Sequence, residues 1–498
     1  MYDKELLRGA LVNALGVLAK LAHPLFFVFV TWMFGTEVMG RYLIAIFILQ
    51  IAVATVTSGY FQATIIFASP HADADAADGE ASDALYKVFA DAFFVTVAIS
   101  ALLVLAAAFG AEPFVARVYP GRDNLVPALR LLAASLPFTA VARVAVGATK
   151  AKMRMEYDAA IFGFAQPVLL LGTAVVVWRL DGGLVGLAAS TLASEVCVSL
   201  LALMAFRRHF SVAQTLRRVS PLRLSRPMLS FAVPQSLNMT FNRYLTRLDV
   251  TMLGAFAFSD HMVGFYGAAA LITSTLREVR IAFSGALAPI VARHYAAGEI
   301  EALDSDLGRV TRWTTTLVVP VALLLLAMRN DILLVVDASF VGDTSFMAVL
   351  LIPPLLSCAF GLAGNFIVFT KHNGWNLLNS VLVAALNTGL NWVLIPRYGL
   401  MGAATATAIS ISIIAALQVV ELARLEGVRL RWAYVQPVYL GLLPVVALLV
   451  FLGDPAQLAE AWQRLAVGFG LGLGYLGILP FIGHPEARDL LHRYMPSA

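Results

Sequence analysis

Residues 230–254 read SFAVPQSLNMTFNRYLTRLDVTMLG, a segment long enough to cross a bilayer although it carries Arg243, Arg247 and Asp249. Charged residues in a membrane span are costly, and they face protein or a water-filled cavity. At about 100° per residue in a helix, the polar side chains of this segment share half of the circumference. They are Gln235, Ser236, Asn238, Asn242, Arg243, Thr246, Arg247 and Asp249. The pattern predicts a helix whose polar side faces protein or a water-filled cavity, which favours a transporter over an anchor. The alternative is that the charges form ion pairs that only hold helices together.

The composition is typical of a polytopic membrane protein. Of the 498 residues, 60% are hydrophobic and only 13% are charged, whereas about a quarter of the residues in a soluble domain are charged. Cys197 and Cys358 lie in apolar runs, without metal-ligand spacing or a disulfide framework. The net charge is +4, and many of the arginines lie in short loops between apolar segments. Such arginines set the orientation of the chain in the membrane, so the basic balance does not indicate nucleic-acid binding.

Apolar windows predict about fourteen transmembrane helices and no cleaved signal peptide. The windows cover residues 9–32, 40–68, 86–109, 125–148, 158–178, 184–206, 228–257, 262–288, 312–336, 345–370, 374–395, 399–420, 435–452 and 462–482. Lys and Arg concentrate in the loops on one side of this arrangement. The positive-inside rule therefore predicts that both termini are cytoplasmic.

Internal similarity predicts two lobes of six helices each. Residues 39–42 (MGRY) resemble residues 263–266 (VGFY), and residues 183–189 (GLVGLAA) resemble residues 399–405 (GLMGAAT). An even number of spans and a cytoplasmic linker give both lobes the same orientation. The predicted parts are an N-terminal lobe (1–206), a basic cytoplasmic linker (207–227), a C-terminal lobe (228–422) and an additional transmembrane helix pair (433–484).

Residues 387–407, NTGLNWVLIPRYGLMGAATAT, resemble the eleventh-to-twelfth-helix signature of oligosaccharide flippases. These flippases form the polysaccharide-transport branch of the MOP exporter superfamily. Residues 231–254, 263–266 and 288–312 agree with the same family, and residues 34–42 resemble it more loosely. Many members have twelve spans, whereas the predicted fourteen are similar to the peptidoglycan-precursor flippases.

The resemblance implies an all-α, MATE-like fold with two lobes around a central cavity. It also implies a flippase that moves undecaprenyl-pyrophosphate-linked oligosaccharide across the bacterial inner membrane by alternating access. The product would be exopolysaccharide, capsule or O-antigen. The implied partners are this lipid-linked substrate, a proton or sodium ion, membrane lipids and other polysaccharide-assembly proteins. No cofactor, metal or nucleic acid is expected.

The implied cargo needs cations, because moving a phosphate linker and sugar hydroxyls through hydrocarbon unaided is prohibitive. Arginine suits phosphate, since its planar fork donates two hydrogen bonds at once. The predicted substrate contacts are Lys20, Asn238, Asn242, Arg243, Arg247, Arg277 and Arg280. Arg243 and Arg277 are predicted to be the principal phosphate contacts, with the two asparagines on the sugar. The candidates for ion coupling are Glu195, Asp249 and Glu278, although Asp249 and Glu278 could instead pair with neighbouring arginines.

Two other classes of protein compete with the flippase. A multidrug or cation exporter of the same superfamily would favour carboxylates over arginines in its cavity. A polysaccharide polymerase or glycosyltransferase would be expected to show a large outer loop or a soluble domain. The sequence contains no G-x-x-x-x-G-K-[ST] loop, no H-E-x-x-H motif and no Gly-rich dinucleotide fingerprint. It therefore predicts a transporter and not an enzyme.

Overall fold

The protein is described by a computed structural model. The structure describes residues 22–71, 79–221, 223–281, 283, 291, 294, 297–340, 342–360, 363–364, 366, 373–429, 432–485 and 487–488. Within these ranges every regular element is a helix, which confirms the predicted all-α class. Helices satisfy their own backbone hydrogen bonds, as hydrocarbon surroundings require.

Eight helices in the described part are long and apolar enough to cross a membrane. They are Thr36–His71, Ser82–Val118, Leu125–Ala151, Glu156–Arg179, Gly183–Arg207, Ile300–Ala327, Leu377–Leu425 and Val435–Gln457. The segment Leu377–Leu425 covers two predicted spans, 374–395 and 399–420. These two turn at Gly399, whose φ of 57° lies in the left-handed region that glycine tolerates. The count of fourteen spans stays a prediction.

The chain divides into two compact units, Met1–Gly267 and Ala268–Ala498. The first contains α1 (Ala22–Phe34), α2 (Thr36–Ala68), α3 (Gly79–Val118), α4 (Leu125–Ala134), α5 (Leu136–Ala151), α6 (Gln166–Arg179), α7 (Gly183–Arg207), α8 (Val212–Arg217) and α9 (Arg226–Ala255). A π-helical segment, Ala159–Ala165, leads into α6. Helix α10 (Asp260–Ser274) crosses the boundary between the units.

One predicted span, 125–148, consists of two helices, α4 and α5. The break falls at Ser135, whose hydroxyl donates to the Leu132 carbonyl at 2.6 Å. Pro137 stands in the first turn of α5, where its missing N–H costs no helical hydrogen bond. The hydropathy window does not resolve this break because both halves are apolar.

Helix α9 runs antiparallel to α2 over most of its length. Near its start, Ser236 contacts Gly59, and near its end Gly254 packs on Ile44. With 30 residues, α9 is about 45 Å long, which is the thickness of a bilayer with its headgroups. It is therefore long enough to cross the membrane, as predicted for residues 228–257. It is absent from the eight apolar spans because its polar residues lower its hydropathy.

The second unit is built around a long helix, α11 (Ile300–Ala327). Its other helices are α12 (Arg329–Val336), α13 (Ser345–Leu350), α14 (Ile352–Phe360), α15 (Asn373–Leu425), α16 (Trp432–Leu452) and α17 (Ala461–Ile478). Helix α11 begins at Ile300, whereas the sequence predicts a span from residue 312. The extra turns bury Leu303, Leu307 and Val310, an amphipathic stripe that is too polar for a hydropathy window.

Helices α16 and α17 lie in the predicted C-terminal pair and pack on α11. Glycines permit close approach, because a Cβ at Gly472 would lie 3.2 Å from Pro320. The connecting loop is fixed by Arg329, which is only 4% exposed and pairs with the carboxylate of Asp454. Arg464 likewise pairs with Asp331 at 2.6 Å. Helices α16 and α17 are thus an integral part of the second unit.

Candidate substrate and ion sites

The α9 surface predicted to be polar is partly occupied by α2. The Gly59 N–H donates to the Ser236 hydroxyl at 3.1 Å, and the Arg247 Nε–H donates to the Gln50 carbonyl oxygen at 3.1 Å. The Arg247 guanidinium also lies 4.5 Å from the centre of the Phe47 ring. Arg247 therefore helps to hold α9 against α2.

A local group of polar side chains on α9 consists of Asn238, Asn242 and Arg243. The Asn242 amide donates to the Asn238 backbone carbonyl at 2.9 Å and to its side-chain oxygen at 3.1 Å. Asn238 is buried, Asn242 is half-buried and Arg243 is exposed. The structure thus brings the two predicted sugar-binding amides together. The exposed Arg243 directly follows Asn242 in the sequence.

Asp249 is buried, with 3% exposure, between α9 and α10. The Tyr266 hydroxyl donates to its carboxylate at 2.6 Å, and the Val250 N–H donates at 2.9 Å. Tyr266 is the last residue of the VGFY motif, and Asp249 is its hydrogen-bond partner. The sequence suggested only the neighbouring Arg247 as a partner for Asp249 and did not reveal this hydroxyl from α10.

Glu195 is buried in α7, with 8% exposure. Its two carboxylate oxygens accept hydrogen bonds from the Thr139 hydroxyl at 2.8 Å and from the Gln166 amide at 2.6 Å. The sequence indicated no partner for this carboxylate, because both donors lie on other helices. Arg143 was not among the predicted site residues, although it lies within the predicted span 125–148. It interacts electrostatically with Glu195.

In the second unit, Arg277, Glu278 and Arg280 are half-buried in a helical stretch, residues 276–281. The chain turns at Thr275, whose hydroxyl donates to the Ile272 carbonyl at 2.6 Å, so the predicted span 262–288 is interrupted. Glu278 acts electrostatically on Arg280. Lys20, the remaining predicted cation, lies outside the described residues.

A second polar cluster, missed in the sequence, lies at the end of α9 remote from the basic linker. Asp260 pairs with Arg41 and, at 2.7 Å, with Arg122. Arg122 also donates to the backbone carbonyls of Gly254 and Phe258, both at 2.5 Å. A cavity of about 330 Å³ opens beside this cluster. These contacts hold the connection between α9 and α10 against α2. The cluster contains none of the predicted substrate-binding residues.

Within the described ranges, no group of three His, Cys, Asp or Glu side chains could hold a metal ion. The long apolar helices are typical of a multi-pass membrane protein.

The chain belongs to the polysaccharide biosynthesis protein family, whose profile matches residues 6–294. A probable low-salt glycan biosynthesis flippase, Agl15 of Haloferax volcanii, is 23% identical over 189 residues. That match covers 38% of this chain and 40% of the relative, which is well under two thirds of the relative's length.

Two solved structures share the fold. The lipid II flippase MurJ in an inward closed conformation matches with a TM-score of 0.70 and 12% identity, over 96% of this chain and 100% of that one. An inward-facing multidrug resistance MATE family transporter of the MOP superfamily matches with a TM-score of 0.67 and 15% identity, over 84% of this chain and 98% of that one. The predicted MATE-like fold is thereby confirmed.

Proposed function

We propose that the protein is a flippase that moves undecaprenyl-pyrophosphate-linked oligosaccharide across the bacterial inner membrane by alternating access. The observation that carries the proposal is α9, a membrane-length helix with an exposed arginine and a paired set of amides. Such a helix is unsuited to lipid and suited to a polar cargo. The family match supports a role in polysaccharide biosynthesis.

In this proposal the phosphate linker is bound by arginines. Arg243 and Arg277 are the principal contacts, supplemented by Arg247, Arg280 and Lys20. Asn238 and Asn242 hydrogen-bond the sugar. The exposure of Arg243 supports the assignment. Arg247, which already contacts Gln50 and Phe47, contributes mainly charge.

Glu195, Asp249 and Glu278 are the proposed groups for coupling to a proton or a sodium ion. Support comes from the burial of Asp249 and from the partners of Glu195, since Thr139 and Gln166 are neutral donors. A carboxylate held by neutral groups can accept a proton or a cation without first losing an ion pair.

The proposed orientation places the linker 207–227 and both termini in the cytoplasm, with lobes 1–206 and 228–422 and a helix pair 433–484. Because Arg122 contacts the far end of α9, the neighbouring Asp123 should face the opposite side from Ser220. With Cys197 and Cys358 replaced by Ala, an impermeant maleimide should label Asp123→Cys in intact cells and should spare Ser220→Cys. Labelling of Ser220→Cys alone would contradict the orientation.

Loss of the protein tests the function. A deletion strain should accumulate complete lipid-linked oligosaccharide and export none of the polymer, because in this proposal the oligosaccharide is assembled before the protein moves it across the membrane. Extraction of the lipids and quantification of the bound glycan provide the measurement. Normal export, or completed export with shortened polymer chains, would exclude the flippase.

Export of cationic drugs is a second candidate, favoured by the buried carboxylates Glu195 and Asp249 and by the shared fold with a multidrug resistance MATE transporter. It makes the opposite prediction for the same strain. Polymer export would then be normal, and the strain would become more sensitive to cationic drugs.

A further inference from the structure

Arg143 occupies the middle of α5, within an apolar span, and it is half-buried. Within the ranges that the structure describes, it makes no hydrogen bond and no ion pair, and its close contact is with an aromatic ring. An arginine in a membrane span is costly unless something compensates its charge, and such residues usually mark a functional site. Its guanidinium therefore requires an explanation.

The two carboxylates that act on Arg143 electrostatically are Asp158 and Glu195. Both are held by other groups. Asp158 pairs with Lys150 at 2.8 Å, and Glu195 accepts its hydrogen bonds from Thr139 and Gln166. These carboxylates thus attract the guanidinium from a distance, and no described residue accepts a hydrogen bond from its N–H donors.

The π-helical segment Ala159–Ala165 orients this group of side chains. It carries Phe162, whose ring centre lies 4.1 Å from the Arg143 guanidinium carbon. It ends directly before Gln166, which holds Glu195. π-Helical turns are rare and frequently occur at functional sites. Stacking on a ring fixes the plane of the guanidinium while its edge, with the N–H donors, remains available for a ligand.

The position of Arg143 favours a ligand near the membrane surface. It lies eight residues before Ala151, the last residue of α5, which is about 12 Å from that end of the helix. Lys152 and Arg154 follow the helix end and add positive charge there. The planar guanidinium of Arg143, close to the positive charges of Lys152 and Arg154, suits a phosphate oxyanion.

We propose that Arg143, stacked on Phe162, binds the phosphate group of a lipid at the end of α5 that leads to Lys152. Two lipids offer this chemistry, a polyprenyl pyrophosphate and an anionic phospholipid. The assignment to the pyrophosphate rests on the proposed function.

Lipid binding to the full-length protein in detergent, followed by native mass spectrometry, tests the site. The probes are undecaprenyl pyrophosphate, undecaprenol without phosphate, and phosphatidylglycerol. Arg143→Ala should weaken binding of one phosphate-bearing lipid by about tenfold or more, because charged hydrogen bonds are lost, and should not change undecaprenol binding. Arg143→Lys should be intermediate, because it keeps charge without the fork. Arg130→Ala, which removes an exposed arginine of α4, is the matched control and should bind like the wild type.

A purely structural role for Arg143, as the counter-charge of Glu195, gives a different result. Neutralising both groups in Arg143→Ala/Glu195→Gln would then restore binding, whereas the proposed site predicts that the double variant stays defective. A tenfold loss for phosphatidylglycerol alone would assign the site to a phospholipid. Unchanged binding of both phosphate lipids by Arg143→Ala would overturn the proposal. If the wild type does not distinguish undecaprenyl pyrophosphate from undecaprenol, the proposed function fails on its own.

Discussion

Replacing Arg243 by Ala should reduce polymer export to background, while the protein remains in the membrane at its normal level. The side chain is exposed on a helix of membrane length, so its removal leaves no cavity in a packed core. In the proposed site it supplies charged hydrogen bonds to phosphate, whose loss should slow export by about 10- to 100-fold. Export of labelled polymer and abundance of the protein are measured on the same cells.

Companion variants separate binding from folding. Arg243→Lys should be intermediate, since charge remains and the bidentate geometry is lost. Arg247→Ala should instead lower the abundance of folded protein, because Arg247 contacts Gln50 and Phe47 on α2. Arg130→Ala provides a control for loss of an exposed arginine. Full export by well-expressed Arg243→Ala would remove this residue from the site.

The second large effect is expected at Gly40, in the first turns of α2. A Cβ at this position would collide with the backbone carbonyl of Asp260, and Gly264 of α10 lies against the same turn. Backbone atoms cannot rotate away as the end of a side chain can. Gly40→Ala should therefore destabilise the folded protein by about 1–3 kcal/mol, and it should loosen the neighbouring pair of Arg41 with Asp260. The fraction that stays monodisperse after heating in detergent measures the change.

Gly172→Ala is the matched control, because a Cβ there meets no atom within 4 Å. In the interior of α6, alanine should leave stability unchanged or raise it by about 0.5–1 kcal/mol. Equal stability of the Gly40→Ala and wild-type proteins would show that α2 and the start of α10 do not pack as described.

The sequence allowed prediction of features that depend on local pattern. Apolar windows located most of the long helices, and the repeated MGRY and VGFY motifs marked Gly40 and Gly264, which lie against each other. The polar side of residues 230–254 was predicted to face protein or a water-filled cavity, and Ser236 and Arg247 on that side contact α2.

Features that depend on distant partners could not be predicted. Nothing in the sequence around Glu195 identifies Thr139 or Gln166 as its donors. The break after Ser135 and the early start of α11 at Ile300 escaped detection, because hydropathy averages over apolar and amphipathic turns alike. Arg143 was overlooked because its significance comes from the positions of Phe162 and Glu195 on other elements.

The central claim concerns the leaflet that lipid-linked oligosaccharide can reach, and an accessibility assay measures this directly. Right-side-out and inside-out membrane vesicles from the deletion strain, with and without a plasmid-borne copy, are treated with an impermeant glycan-cleaving enzyme. Without the protein, the glycan should be cleaved only in inside-out vesicles. With the wild-type copy it should be cleaved in both, and with Arg243→Ala the pattern should return to that of the deletion. Cleavage in right-side-out vesicles that lack the protein would contradict the account.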